Sequence, residues 1–223
     1  DSHLIEGNLY RRSLNRVLSE IPGQIEDWAV PGVALLKAHA HFGEKTYFDK
    51  SVFVAEEIDK RFNDDVLFDT ELAHTQTPVR PRTLTDSGYP SSHGIAAELF
   101  RGLHLLTGDA KYLDQTLAIT SELAGLMSRA PRATSSALYV EVADSNPVRE
   151  FAVVGVGGEL HHHVLSLADD GSVISAGEAN DTPLLTDRNQ LQGKPTVFVC
   201  EHFSCKMPVS SLAELRAQLE PGS

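Results

Sequence analysis

The chain repeats itself at a spacing of 65 residues, and no other feature constrains its fold as tightly. Gly43-Glu-Lys-Thr-Tyr47-Phe-Asp49-Lys-Ser51 matches Gly108-Asp-Ala-Lys-Tyr112-Leu-Asp114-Gln-Thr116, and the same offset carries His39 onto His104 and Trp28 onto His93. Each copy reads as a helical hairpin: an apolar inner helix, a glycine turn, then an amphipathic outer helix beginning near Tyr47 or Tyr112. In the first copy, residues 28–40 are apolar nearly all round, which suits a helix enclosed by other helices. Asp27 is placed to be its N-cap, with Pro31 late in the first turn, where it removes at most one intrahelical bond. Residues 47–62 carry Phe48, Val52, Ala55, Ile58 and Phe62 at helical spacing. In the second copy Ile95, Leu99, Leu103 and Leu106 form the inner stripe, and Leu113, Leu117, Thr120, Ala124 and Met127 the outer one. Neither hairpin can bury its apolar surfaces alone, so the pattern predicts an array or toroid of hairpins.

The stretch 63–90 between the copies is rich in Thr, Pro, Asp and Gly. It is longer than an ordinary connection, and loops of that length are often functional. Residues 135–143 suit either of two elements. Leu138, Val140 and Val142 alternate as in a strand, yet the length and a Thr134 or Ser135 cap also allow a third inner helix. Short β-branched runs follow at 151–156, 173–176 and 196–200, with helices expected at 160–167 and 211–219, which makes a small β-α-β type unit. The expected class is therefore mainly α. A partial (α/α) toroid of helical hairpins covers residues 1–145, and a small α/β unit near the C-terminus covers 146–223.

Composition narrows the function. Hydrophobic residues make up 41% of the chain, enough for a core. No run of about 18 apolar residues exists, which argues against a membrane-spanning helix. The net charge of −12, with no concentrated Lys/Arg face, argues against nucleic-acid binding. The N-terminus lacks a basic-then-apolar leader pattern, which makes a cytoplasmic location the expectation. Only Cys200 and Cys205 are present, so a disulfide framework is not what holds the fold.

The strongest local candidate for chemistry is Asp86-Ser-Gly-Tyr-Pro90-Ser91-Ser92-His93-Gly94. It sets Ser91, Ser92 and His93 at the start of an inner helix, where unbonded N–H groups can receive an anionic or hydroxylated ligand. A plain serine cap, with Gly88 and Pro90 shaping the turn, explains the same string. The corresponding junction Glu26-Asp27-Trp28 adds carboxylates and an aromatic ring. Hairpins set around an axis would turn both junctions toward one mouth with a sugar-like lining. There too the alternative is local: Asp27 caps and Trp28 packs. Asp27, Asp86 and His93 are thus the candidate acid/base groups, with Trp28, Ser91 and Ser92 as candidate ligand-binding residues. Cys200-Glu-His202-Phe-Ser-Cys205 suits buried inert thiols, a zinc site completed by His202 and one of His161, His162 or His163, or a redox pair. One of those three histidines is expected to face the core and two to face water. Gly155-Val-Gly157-Gly158 lacks the full dinucleotide-loop spacing, and no cofactor or metal is expected. His39 and His104 read as satisfied core histidines.

Several strings together carry a family resemblance. Ile25-Glu-Asp27-Trp28-Ala29 resembles a D-[DY]-Y-A hairpin start, and Asp86 to Gly94 resembles D-x-x-x-P-S-G-N-[SG]. Leu106-Thr-Gly108-Asp with Tyr112, Phe151-Ala-Val-Val-Gly155, and above all Pro195-Thr-Val-Phe-Val-Cys200-Glu-His-Phe-Ser-Cys205-Lys-Met-Pro208-Val209 extend the match. The chain resembles the C-terminal part of the thioredoxin-domain-containing proteins of the spermatogenesis-associated protein 20 type, also described as the YyaL family. It departs from them at Ser92 and His93, where the family has Gly-Asn, and at Trp28-Ala-Val-Pro31. The resemblance implies an N-terminal thioredoxin-like domain followed by a six-hairpin toroid similar to N-acylglucosamine epimerases and six-hairpin glycosidases. It also implies that residues 135–143 are helical. Two functions follow as expectations: a carbohydrate-binding or carbohydrate-processing region, or a non-catalytic scaffold whose activity resides in the thioredoxin-like domain. Asn8-Leu-Tyr10-Arg-Arg-Ser13 resembles a mid-toroid stretch, which makes the chain a fragment by this reading. Exposed apolar surface, self-association or contact with the absent N-terminal regions is then expected.

Overall fold

Two glycine turns of one design organise the helical part of the chain. A computed structural model describes residues 4–5, 8–12, 18–75, 78–144, 148–167 and 171–219. Helices α1 (Ile25–Phe42) and α2 (Lys45–Phe62) form the first hairpin, and α3 (Ser92–Thr107) and α4 (Ala110–Arg129) the second. Gly43 and Gly108 end the inner helices in the left-handed region, at φ 70° and 73°, where a side chain is disfavoured. Their N–H groups donate to the carbonyls of His39 (2.8 Å) and His104 (2.7 Å). Each histidine then places Nδ1 against a carbonyl at the start of the outer helix, His39 on Glu44 at 3.2 Å and His104 on Asp109 at 3.0 Å. The 65-residue repeat is therefore a turn module in which histidine and glycine act together.

The helix starts and faces differ from the sequence expectation in two places. The N-cap of α1 is Gln24; Asp27 sits one turn into the helix, and its Oδ2 accepts the Gln24 N–H at 2.8 Å. Pro31 consequently lies inside α1, beyond the first turn, with its ring on an exposed face. On α4 the buried line is Tyr112, Thr116, Ile119, Thr120, Leu123 and Met127, and Leu117 is 48% exposed. Of the expected stripe, Thr120 and Met127 lie on this line, whereas Leu117 and Ala124 are exposed. The threonine face is buried instead because Thr116 returns its hydroxyl to the Tyr112 carbonyl at 2.9 Å, so it carries no unsatisfied polar group into the core. The buried face of α2, with Phe48, Ala55, Ile58 and Phe62, follows the expected periodicity. Residues Ser135–Asp144 form a further helix, α5, which buries Ala137, Val140 and Ala143.

Strands β1 (Leu4–Ile5), β2 (Asn8–Arg12) and β3 (Leu18–Pro22) form a small antiparallel sheet ahead of α1, where the sequence carried no strand signal. Short strands β4 (Asn63–Asp64) and β5 (Val66–Leu67) open the long connection. The main sheet has the order β7-β6-β8-β9, from β6 (Glu150–Val154), β7 (Val173–Gly177), β8 (Thr196–Glu201) and β9 (Ser204–Cys205). β6 and β7 run parallel with α6 (Gly158–Leu167) between them in the chain, and β8 is antiparallel to β6. Ala152 and Val154 face the core of the hairpins. Phe151 and Val153 face the opposite way, against Leu160 and Val164 of α6 and Leu215 of α7 (Leu212–Leu219). The chain is thus mainly α with a small mixed sheet near its C-terminus, and the sheet is enclosed on both faces.

Gly94, near the start of α3, measures how closely the helices approach. A Cβ there would fall 2.0 Å from Ser136 Oγ and 3.0 Å from the Ala137 backbone nitrogen. Gly94→Ala is expected to destabilise the fold by about 1–3 kcal/mol through overpacking, read as a lower urea midpoint with an unchanged slope.

Candidate functional site

The long connection lies against the N-termini of both inner helices, and Asp69 fastens it there. The Asp69 carbonyl accepts the Ile25 N–H of α1 at 3.0 Å, and its own N–H donates to Pro81 at 2.9 Å. Its carboxylate accepts from Thr83 Oγ1 at 2.7 Å and from Ser92 Oγ of α3 at 3.1 Å. One buried aspartate therefore ties the starts of two hairpins to one loop.

His93 is 1% exposed beneath that loop. Its Nε2 lies 3.0 Å from the Leu67 carbonyl and its Nδ1 3.2 Å from the Thr83 carbonyl, with Asp69 Oδ1 3.8 Å from Nδ1. The ring is gripped from both edges by the connection. Ser91 is the N-cap of α3: its Oγ accepts the Gly94 N–H at 3.1 Å and bonds Ser136 Oγ at 3.1 Å.

The Asp86 carboxylate accepts four hydrogen bonds. Oδ1 accepts the Ser91 N–H at 2.8 Å and the Ser136 hydroxyl at 2.5 Å; Oδ2 accepts the Ser135 hydroxyl at 2.6 Å and the Ser136 N–H at 2.9 Å. Burial pushes this carboxyl up. The bonds from Ser135, Ser136 and Ser91 favour the charged form more strongly and hold it at about 2, against an ordinary value of 3.8. The carboxylate joins the start of α3 to the start of α5. It occupies the helix ends that the sequence offered to an external anion.

Asp27 and Trp28 lie at the matching end of α1. Asp27 closes its own helix start as described above. Trp28 is 2% exposed and packs toward α2, with the Arg61 guanidinium 5.4 Å from its ring centre and Phe53 at 6.4 Å. Arg61 is held in turn by Glu57 at 2.5 Å and Glu71 at 3.3 Å. The two junctions do share one end of the hairpins, joined through Asp69. Within that end Trp28 turns to the outer helix and His93 to the loop.

A cavity lies elsewhere, along the C-terminal halves of α1 and α3. It measures about 520 Å³ and is bounded by those helices, α5, α6 and β7. None of Asp27, Trp28, Asp86, Ser91, Ser92 and His93 lines it. Its volume falls in the range of roughly 300–1,000 Å³ that small-molecule sites occupy. Val33, Leu36 and Leu106 supply apolar wall, and Lys37, Glu98 and Arg101 supply charge. Lys37 Nζ stands 3.4 Å from Glu98 Oε1. Arg101, 6% exposed, donates from Nη1 to the Gly171 carbonyl at 2.8 Å. Sequence reasoning passed over these three residues. The available signal was Arg101 itself, an arginine set between Leu99 and Leu103 on an apolar helix, since arginine is rarely buried without a specific partner.

The cysteine and histidine motifs resolve differently from the metal reading. Cys200 and Cys205 form a disulfide across β8 and β9, so their sulfurs are joined to each other and are not free thiolates for zinc. His161 is the buried member of its triplet. Its Nδ1 accepts the Gly157 N–H at 3.1 Å and its Nε2 donates to the Ala40 carbonyl at 2.8 Å, while His162 is exposed and His163 half-buried. Burial lowers the His161 pKa, which favours the neutral ring these two bonds require. Among the described residues no three His, Cys, Asp or Glu side chains gather as a metal-binding group. Among them too, no helix is long and apolar enough to cross a membrane. His39 is fully buried and bonds Ser175 Oγ through Nε2 at 3.0 Å; its pKa is lowered by burial, while His104 is half-buried at its turn.

No family model matches the chain. It is distantly similar to spermatogenesis-associated protein 20. The human protein is 23% identical over 218 residues, covering 89% of this chain, and the rat protein 23% identical over 216 residues, covering 88%. The mouse protein is 22% identical over 216 residues. The chain spans 27% of the length of each of these relatives. At that coverage the similarity runs through both the hairpins and the sheet.

Because the Asp86 pKa is depressed, its bonds stabilise the fold fully above the unfolded-state value near 3.8 and fade as pH falls toward about 2. Asp86→Ala should therefore cost about 1–2 kcal/mol at pH 7, the scale of a lost helix cap, with a smaller difference from the parent at pH 2. Paired urea titrations at the two pH values check both the size and the sign.

Proposed function

We propose that the chain is part of an (α/α) toroid of the six-hairpin glycosidase- and epimerase-like kind, and that it binds a sugar or sugar-derived ligand. In this reading α1, α3 and α5 are inner helices, and α2 and α4 are outer ones. The observation that carries it is the cavity of about 520 Å³ in which Lys37, Glu98 and Arg101 converge between apolar walls, with Tyr139 and His41 at its margin. Charged fork-like groups beside apolar and aromatic surface suit a ligand with several hydroxyls or a negative charge. Asp27, Asp86 and His93 then act as braces of the helix starts. Their oxygens and ring nitrogens already face partners within the chain.

A second reading has its own observation. Val30 on α1 and Tyr139 and Val142 on α5 are 49%, 45% and 53% exposed, apolar side chains at the surface of the kind a non-catalytic scaffold would use. The partner would be a second copy or the N-terminal thioredoxin-like region that the resemblance implies. Light scattering tests the first of these, and a monodisperse monomer at high concentration would exclude self-association.

A thermal-shift screen of neutral sugars and sugar phosphates tests the binding reading. A ligand at about a hundred times its Kd adds roughly 2.7 kcal/mol, which raises Tm by about 5–10 °C for a chain of this size. Lys37→Ala and Glu98→Gln, both at the cavity margin, should abolish that rise while leaving the unliganded Tm nearly unchanged. A panel with no shift, or shifts indifferent to both variants, rejects the proposal.

A further inference from the structure

The disulfide at the free end of the sheet stands beside a cation. β9 is the edge strand, and Cys200 on β8 pairs directly with Cys205 on β9. Arg188, from the loop ahead of β8, points Nη2 at Cys205 Sγ from 2.8 Å and at Cys200 Sγ from 3.8 Å. The same guanidinium is anchored by carbonyls, Thr186 at 3.2 Å through Nη1 and Phe203 at 3.5 Å through Nη2. Cys200 is 1% exposed, whereas Cys205 is half-buried and can be reached from solvent. A disulfide that only staples a hairpin has no use for an arginine directed at its sulfurs. A neutral disulfide gains little from a positive charge, and a thiolate gains a great deal.

The hairpin has supports that do not depend on the sulfur bond. The turn places His202 and Phe203 at φ 49° and 61°, consecutive left-handed residues of the kind a two-residue hairpin needs, although neither is glycine. The Phe203 N–H donates to Glu150 Oε2 at 2.9 Å, and the Phe203 ring packs on the hairpin core close to Gly108. Glu150 is buried on β6, with His202 and Arg188 as cations near it. These contacts tie the turn to β6 and to the helical core by means other than the sulfur bond.

We propose that Cys200–Cys205 is a thiol–disulfide exchange site whose substrate is a dithiol, and that Arg188 stabilises the Cys205 thiolate. The first sulfur of the dithiol, having lost its proton to water, attacks Cys205 Sγ. The Cys200–Cys205 bond breaks, its electron pair leaves on Cys200 Sγ, and a mixed disulfide forms at Cys205. The second sulfur of the dithiol gives its proton to Cys200 and attacks the first. This releases Cys205 as a thiolate beside Arg188 and leaves the dithiol as a cyclic disulfide. Two electrons pass to the protein, and the reverse sequence oxidises it. The site is separate from the cavity of the preceding section and stands or falls independently of it.

The test uses the whole chain with dithiothreitol as the dithiol and iodoacetamide as the thiol probe, followed by mass spectrometry. Dithiothreitol in native buffer should reduce the bond while the far-UV circular dichroism is unchanged. In the reduced protein, alkylation of Cys205 at pH 7 should slow about tenfold in Arg188→Gln, as the thiolate fraction falls. Arg188→Lys should recover much of the rate, because it restores the positive charge. A bond that resists reduction until the protein unfolds overturns the proposal. So does a Cys205 alkylation rate that is the same in the parent, Arg188→Gln and Arg188→Lys.

Discussion

Helices α1 and α3 carry apolar surface on more than one face, and the need to cover it shapes everything around them. Their mutual contact is close because Gly32 and Gly102 leave room. A Cβ at Gly32 would meet the Leu99 side chain at 2.6 Å, and one at Gly102 would meet Leu36 at 2.9 Å. The outer helices α2 and α4 cover one side through Phe48, Ile58, Phe62, Ile119 and Leu123. The sheet covers another through Ala152 and Val154. Each large apolar side chain removed from water in this way contributes about 1.5–3 kcal/mol. The hairpins and the sheet therefore depend on one another energetically, because they share a core.

Packing two helices this closely brings their N-termini together, and those ends need hydrogen-bond acceptors. The chain supplies them internally. Asp69 takes the first amide of α1 and the Ser92 hydroxyl of α3, and Asp86 takes backbone amides at the starts of α3 and α5. The chemistry that makes a helix start attractive to a bound anion also makes it attractive to a carboxylate of the same chain. A tethered carboxylate has the entropic advantage over a free ligand. The described parts of the long connection, residues 63–75 and 78–90, accordingly act as a structural strap that reaches both hairpins. The exposed sides of the inner helices are left to border the cavity, where Lys37 and Glu98 meet solvent.

Much of this was legible from residue order. The repeat marked the hairpins and their glycine turns, because a left-handed helix end demands a particular residue type at a particular place. The strands at 151–156, 173–176 and 196–200 were visible as β-branched runs. On α4 the sequence placed Thr120 but not Thr116 in the buried stripe, because threonine reads as polar until its hydroxyl finds the backbone of the preceding turn. The N-cap of α1 was misplaced by three residues because Asp27 suits an N-cap and the third helical position equally well. Strands β1 to β3 were not seen, since their short segments carry neither alternation nor a hairpin dipeptide. At the candidate site the sequence offered Asp86 and His93 as acid/base groups and Ser91 as a ligand-binding residue, and each of the three is hydrogen-bonded within the chain. Asp69 and Thr83 were not singled out, because they lie in an irregular loop where spacing carries no information.

By itself, then, the sequence determined the four hairpin helices, where they turn, and the β-branched strands of the main sheet. These follow from periodicity and from the conformational demands of single residues, both properties of short stretches. Only the tertiary structure decided who satisfies whom. Asp86 meets Ser136 from 50 residues away, Arg101 meets Gly171 from 70, and Arg188 is brought against a disulfide 17 residues downstream at Cys205. Such pairings depend on the orientation of whole helices and strands. That orientation is set by the shared core, and no local pattern records it.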